Sequence, residues 1–141
     1  MMSRQEGNRH IIIMSRGEEL IDVLTRWAHE HEVVSASFQG IGAVEDVEIG
    51  YYTLSTKSYS FVTFPEVFEV ANLTGNVALV DGKPFVHAHA VLSRCDASLG
   101  CIGGHVKRAR VAVTLEISLT ADAAPAQRVV DEMIGLKLIS L

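Results

Sequence analysis

The spacing of apolar positions changes rhythm along this chain, and each rhythm predicts a different element. Residues 10–14 form a short apolar run that reads as a strand. Ser15 and Glu18 follow three apart, the spacing of a capping box, and Leu20, Val23, Leu24, Trp27 and His31 then recur at helical intervals. Glu18, Glu19, Asp22, Arg26 and Glu30 occupy the remaining faces. Residues three and four apart share a helix face, so the pattern predicts one amphipathic helix that begins near Gly17 and packs on a sheet.

Beyond Val33 the period shortens. Residues 33–38, 47–53 and 58–64 are rich in β-branched and aromatic side chains and are punctuated by Gly40, Gly42 and Gly50; they read as successive strands. Residues 68–75, 76–80, 85–93 and 111–119 continue the pattern, with Asp81-Gly82 placed as a tight hairpin turn. The sheet is therefore expected to be mostly antiparallel. Residues 121–134 have no clear period: Pro125 opens a short helix containing Val129, Val130 and Met133, or the segment is a loop. Residues 135–141 alternate again and predict a last short strand. The fold class is α/β in the α+β sense, with one principal helix on a mainly antiparallel sheet and a single domain over residues 1–141.

Composition adds limits. With 48% hydrophobic and 21% charged residues among 141, the chain has enough apolar surface for one core. The apolar run near the N-terminus is too short for a signal-peptide core or a membrane span, which predicts a soluble, cytoplasmic protein with no membrane partner. Cys95 and Cys101 match neither a redox pair nor a zinc knuckle and are expected to be free thiols. A net charge of −5 opposes autonomous phosphate binding. Lys107, Arg108 and Arg110 form the densest basic cluster and are the candidate contacts for an anion or nucleic acid. No Walker sequence, GxSxG elbow or HExxH helix occurs, and Gly40-Ile41-Gly42 lacks the third glycine of a dinucleotide fingerprint, so those glycines make a turn or bulge.

The candidate chemistry lies in histidines. In the expected strand around Phe85-Val86-His87-Ala88-His89, alternation places His87 and His89 on one face, about 7 Å apart between Cα atoms, and Val86, Ala88, Ala90 and Leu92 on the other. His105 follows Gly103-Gly104 after a turn-like stretch and is positioned to return beside them as a third ligand. An HxH pair alone fits ordinary sheet histidines equally well; a third imidazole gives a divalent metal site, zinc first, with an open fourth position. Ligating imidazoles need partners for their other N–H, and Glu69, Asp96 and Glu116 are the candidates. His10, His29 and His31 fall outside the cluster and receive no role.

Gly82-Lys83-Pro84-Phe85-Val86-His87-Ala88-His89 followed by Ile102-Gly103-Gly104-His105 closely resembles the PPC domain, the plant and prokaryote conserved domain. Gly17-Glu18-Glu19-Leu20, Gly40-Ile41-Gly42-Ala43, Gly50-Tyr51-Tyr52, Phe68-Glu69-Val70 and Leu73-Thr74-Gly75-Asn76 extend the resemblance over residues 10–119. It implies a homotrimer of α/β subunits and, as in some prokaryotic members, a metal on the three histidines. Plant relatives join the domain to an AT-hook, whose Arg-Gly-Arg core is missing from this sequence. The resemblance thus implies a trimeric, metal-binding, DNA-associated or transcription-related regulatory module that works through a protein partner or a small ligand at the metal. Its rival is a zinc-dependent hydrolase or lyase acting on a small molecule, with Glu69 or Glu116 as base. A third reading has Lys107, Arg108 and Arg110, repeated around a trimer, bind DNA directly.

Overall fold

A computed structural model describes residues 1–140; Leu141, the end of the last expected strand, lies outside the described residues. The chain opens with a hairpin, β1 (Met2–Glu6) and β2 (Arg9–Ser15). All five β1 residues are exposed, which explains why no apolar alternation announces this edge strand. The helix α1 (Leu20–Glu30) begins later than the capping-box spacing suggests. Glu18 does reach back to accept the Ser15 N–H at 2.8 Å, but this closes a turn. The N-cap is Glu19, whose carboxylate accepts the Asp22 N–H at 2.8 Å and the Ala109 N–H at 2.9 Å, tying the helix start to the sheet.

Four expected strands merge into two. Residues 33–38 and 47–53 belong to one strand, β3 (Ala36–Thr53), and 68–75 with 76–80 form β5 (Phe68–Val80). Between them stands β4 (Ser58–Phe64); β6 (Lys83–Arg94) and β7 (Cys101–Ala121) follow. The glycines that suggested a break bend β3 without ending it. The β3–β5 register slips between Gly40 and Gly42, and the β3–β7 register between Gly42 and Val44, so the Gly40-Ile41-Gly42 stretch is a bulge.

These bends curl the sheet. β3 pairs with β5 and β7, β5 with β6, and β6 with β7, all antiparallel. The hydrogen-bonded path through four strands therefore closes on itself, with β1 and β2 added along β7. Val44, Val47, Val70, Leu73, Leu92 and Leu115 fill the inside, while α1 packs against β6 and β7 through Leu20, Val23, Leu24 and Trp27, all at most 5% exposed. Among the described residues no helix is long and apolar enough to cross a membrane.

Residues 121–134 are neither a loop nor a helix. They include β8 (Gln127–Asp131), which pairs antiparallel with β9 (Leu136–Ser140). The hairpin joins the sheet through one parallel register, Leu79 opposite Gln127. Val129 and Val130 are both exposed, so the segment lacks the one-sided burial that makes a strand visible in sequence.

His10, given no role from sequence, is a core residue at 5% exposure. Its ring meets Trp27 edge-on with centroids 4.9 Å apart, and His31 stacks on the same indole at 4.4 Å. Burial first, and His31 second, lower the His10 pKa from its ordinary 6.5. The sign follows: below pH 6.5 the unfolded chain takes up a proton that folded His10 refuses until a lower pH, so stability falls as pH falls through that window. Chemical denaturation at steps between pH 7 and pH 5 should show that decline, and His10→Leu should make it shallower, the remainder coming from His87 and His105, whose pKa values are also lowered. An unchanged slope in the variant would remove His10 as a contributor.

Candidate metal centre

β6 buries Val86, Ala88, Ala90 and Leu92 in the core, and strand alternation turns His87 and His89 to the opposite face. Cross-strand pairing supplies the third imidazole: His89 stands directly opposite His105 of β7, which on its other side is in register with Gly50 of β3. Gly104 makes this approach possible. Its φ is +154°, and a Cβ there would lie 2.5 Å from the Gly50 carbonyl oxygen. His105 is thus a strand residue at the place where β7 meets both neighbours, and the stretch before it is the turn expected from sequence.

The ring centroids of His87, His89 and His105 are 5.0 to 5.5 Å apart, and one ligand atom from each lies within 4.8 Å of the others. Three imidazoles so placed could hold a divalent ion with a further coordination position open. Electrostatics favours the metal-ready protonation state. Burial, then Arg128, His105 and His89, pull the His87 pKa down to about 4, and burial, His89 and Arg128 lower that of His105. At neutral pH these rings are uncharged, each with one unprotonated nitrogen. The buried Nδ1 of His105 has no hydrogen-bond partner within the chain. Such an orphaned nitrogen costs about 1–3 kcal/mol, which a bound cation would offset. The donor set and the orphaned atom both fit zinc.

Several neighbours were not singled out from the sequence. Tyr59 and Phe61 of β4 lie with ring centroids 4.8 and 6.1 Å from His105. They share a face by the same alternation that pairs His87 with His89, so they were open to the same argument. Arg128 of β8 was not. One of its terminal nitrogens donates to Asn76 Oδ1 at 2.8 Å and stands 3.1 Å from His87 Nδ1; the other donates to the Lys137 carbonyl at 3.0 Å. The C-terminal hairpin thus sets a guanidinium against the imidazoles. Tyr52, donating to the Ile134 carbonyl at 2.7 Å, holds the hairpin in place.

The carboxylates considered as partners or base stand elsewhere. Glu69 is exposed and opposite Ser93. It lies five residues along β5 from Thr74, the neighbour of His89, or roughly 17 Å of strand. Glu116 stands between Ile13 and Ile41 on the outer face of the sheet. Asp96 accepts from Ser98 within its own turn. Two residues of the basic cluster are neutralised: Lys107 pairs with Glu48 at 2.8 Å, and Arg110 pairs with Asp46 and with Glu45. Arg108 is exposed opposite Glu48 in the β3–β7 register.

Residues 1–121 match the family model of the Plants and Prokaryotes Conserved (PCC) domain. The chain belongs to this family. Solved structures agree with the assignment. A plant- and prokaryote-conserved protein of Pyrococcus horikoshii is 29% identical and superposes with a TM-score of 0.87 over 99% of this chain and 95% of its own. A metal-containing protein of Archaeoglobus fulgidus is 30% identical, also with a TM-score of 0.87, over 100% and 99%. A protein of Ralstonia eutropha described provisionally as DNA-binding is 27% identical, with a TM-score of 0.89 over 99% and 95%. No curated protein sequence matches the chain. The PCC match ends at residue 121, so the β8–β9 hairpin that brings Arg128 to the histidines lies beyond the matched segment.

Proposed function

We propose that this PCC-domain protein binds zinc through His87, His89 and His105 and acts as a homotrimeric, DNA-associated regulatory module in the cytoplasm. The observation that carries the reading is the convergence of three imidazoles from two paired strands, with ligand atoms within 4.8 Å. The similarity to a metal-containing archaeal protein supports it, as does the similarity to a protein described provisionally as DNA-binding. Self-assembly is supported by the outer face of the sheet, where Ile41 and Val113 are 60% and 68% exposed. Isolated apolar residues are ordinary on a surface, but here Ile41 borders a groove that also takes in Ile11, Ile13 and Ile117. Free, exposed Cys95 and Cys101 fit a reducing compartment.

Association with DNA is assigned to a partner protein, because Lys107 and Arg110 are already ion-paired and the chain carries a net charge of −5. An open cavity beside the histidines favours a second reading, a zinc-dependent hydrolase or lyase acting on a small molecule. Glu69 and Glu116 both stand away from the imidazoles, so the module reading is preferred.

The deciding experiment is elemental analysis of protein purified without chelator, with particle mass measured on the same samples. The native chain should carry about one metal per chain in particles of three chains, and His87→Ala, His89→Ala and His105→Ala should each fall to about a tenth of that or less. Native protein that cannot be reconstituted with zinc, or metal retained in all three variants, would remove the site.

A further inference from the structure

The cavity bounded by the histidines and the C-terminal hairpin has a volume of about 400 Å³, at the small end of the range for small-molecule sites. Tyr59, Phe85, Leu136 and Leu138 give it apolar walls, and Arg128 and Lys137 are its cations. No Asp or Glu lines it among the described residues. Lys137 is paired with Asp81 at 3.0 Å, whereas Arg128 has no carboxylate partner among the described residues, and its buried Nε has no partner either. A part-buried guanidinium without an anion is unfavourable, and no carboxylate among the described residues supplies one here.

The contact between Arg128 and His87 sharpens the point. A guanidinium only donates hydrogen bonds, so its nitrogen 3.1 Å from His87 Nδ1 uses a lone pair there. A neutral imidazole has one such lone pair. An ion bound at Nδ1 competes for it directly. An ion bound at Nε2 leaves the proton on Nδ1, where it faces another donor. Either way, ligation by His87 and the bond from Arg128 exclude each other. When His87 takes an ion, Arg128 must turn away, which frees an N–H beside a new dication whose two positive charges no carboxylate lining the cavity offsets.

We propose that this cavity binds a small organic carboxylate with an apolar body, its carboxylate spanning the metal and Arg128, its body lying against Phe85, Leu136 and Leu138. The proposal rests on the metal reading given above. Arg128 is then a binding residue that exchanges one partner, His87, for another, the ligand. The planar fork of a guanidinium matches a carboxylate in two parallel hydrogen bonds, and the apolar walls select against small hydrated anions.

The test uses the full chain, with phenylacetate as the probe. Zinc affinity is measured by competition with a chelator, and phenylacetate binding by calorimetry on zinc-loaded protein, for the native chain, Arg128→Gln and Arg128→Lys. Arg128→Gln should bind zinc at least as tightly as the native chain, because a competitor for His87 is gone, and should bind phenylacetate roughly tenfold or more weaker. Arg128→Lys, which keeps the charge and stem that pack under the hairpin, should fall between. Native protein that takes up no zinc overturns the metal reading and this proposal with it. Zinc-loaded native protein that binds phenylacetate no better than Arg128→Gln does, or from which inorganic phosphate displaces phenylacetate at equal concentration, overturns this proposal and leaves the metal reading standing.

Discussion

Gly42→Ala should lower the stability of the protein by about 2–5 kcal/mol, a large part of the roughly 5–15 kcal/mol that holds a typical domain folded. Gly42 sits at φ +149°, where L side chains rarely go, and a Cβ there would overlap the Thr114 carbonyl oxygen and lie 2.9 Å from the Leu115 Cα. The obstacle is backbone of the neighbouring strand, so no side-chain rotation relieves it. Gly42 also lies at the register shifts of β3 with both β5 and β7, so strain there bears on two strand pairings at once. The midpoint of denaturant unfolding should therefore shift strongly downward. A variant that melts within about 2 °C of the native protein would show that β3 relaxes there without penalty.

Trp27→Ala should cost about 3–5 kcal/mol, the usual range for removing a large aromatic from a core. Trp27 is 1% exposed, faces His10 edge-on and carries His31 stacked on it, so its loss opens a void between α1 and the sheet that both imidazoles border. The melting temperature should fall by roughly 10 °C or more. Because α1 covers the buried face of β6 and the histidines occupy the other, the folded fraction of this variant should still take up zinc at the native stoichiometry. Stability largely retained, or zinc uptake lost in a variant still folded by circular dichroism, would contradict this separation of core from site.

What could be read from sequence followed from burial on one side only. α1 and β6 each present an apolar face to the core and a polar face to the outside, so their periods were plain and the pairing of His87 with His89 came directly from alternation. His105 was legible because two glycines precede a histidine after an expected turn, although the strand that carries it begins at Cys101, ten residues before the one expected at 111–119. β3 was split in two because glycines that bend a strand look like glycines that end one. β1 and β8 carry no one-sided pattern, since their side chains are largely exposed; the alternation of residues 135–141 did announce β9 (Leu136–Ser140), but Arg128 went unseen with β8. Its role depends on a neighbour 41 positions away, a relation that no local rule contains.

The closed path of strands also fixes an order of events. The β6–β7 pairing is a hairpin across a short turn that sets His89 opposite His105, with His87 two residues along β6. The β3–β7 pairing that closes the path joins residues such as Ala36 and Ala121, and contacts so far apart in sequence form late and slowly because a long loop must first be brought together. The imidazoles therefore come together in a chain that is still open. An ion captured at that moment would clasp the hairpin before the rest of the wall exists, and Arg128, arriving last on its own hairpin, would meet a position already taken.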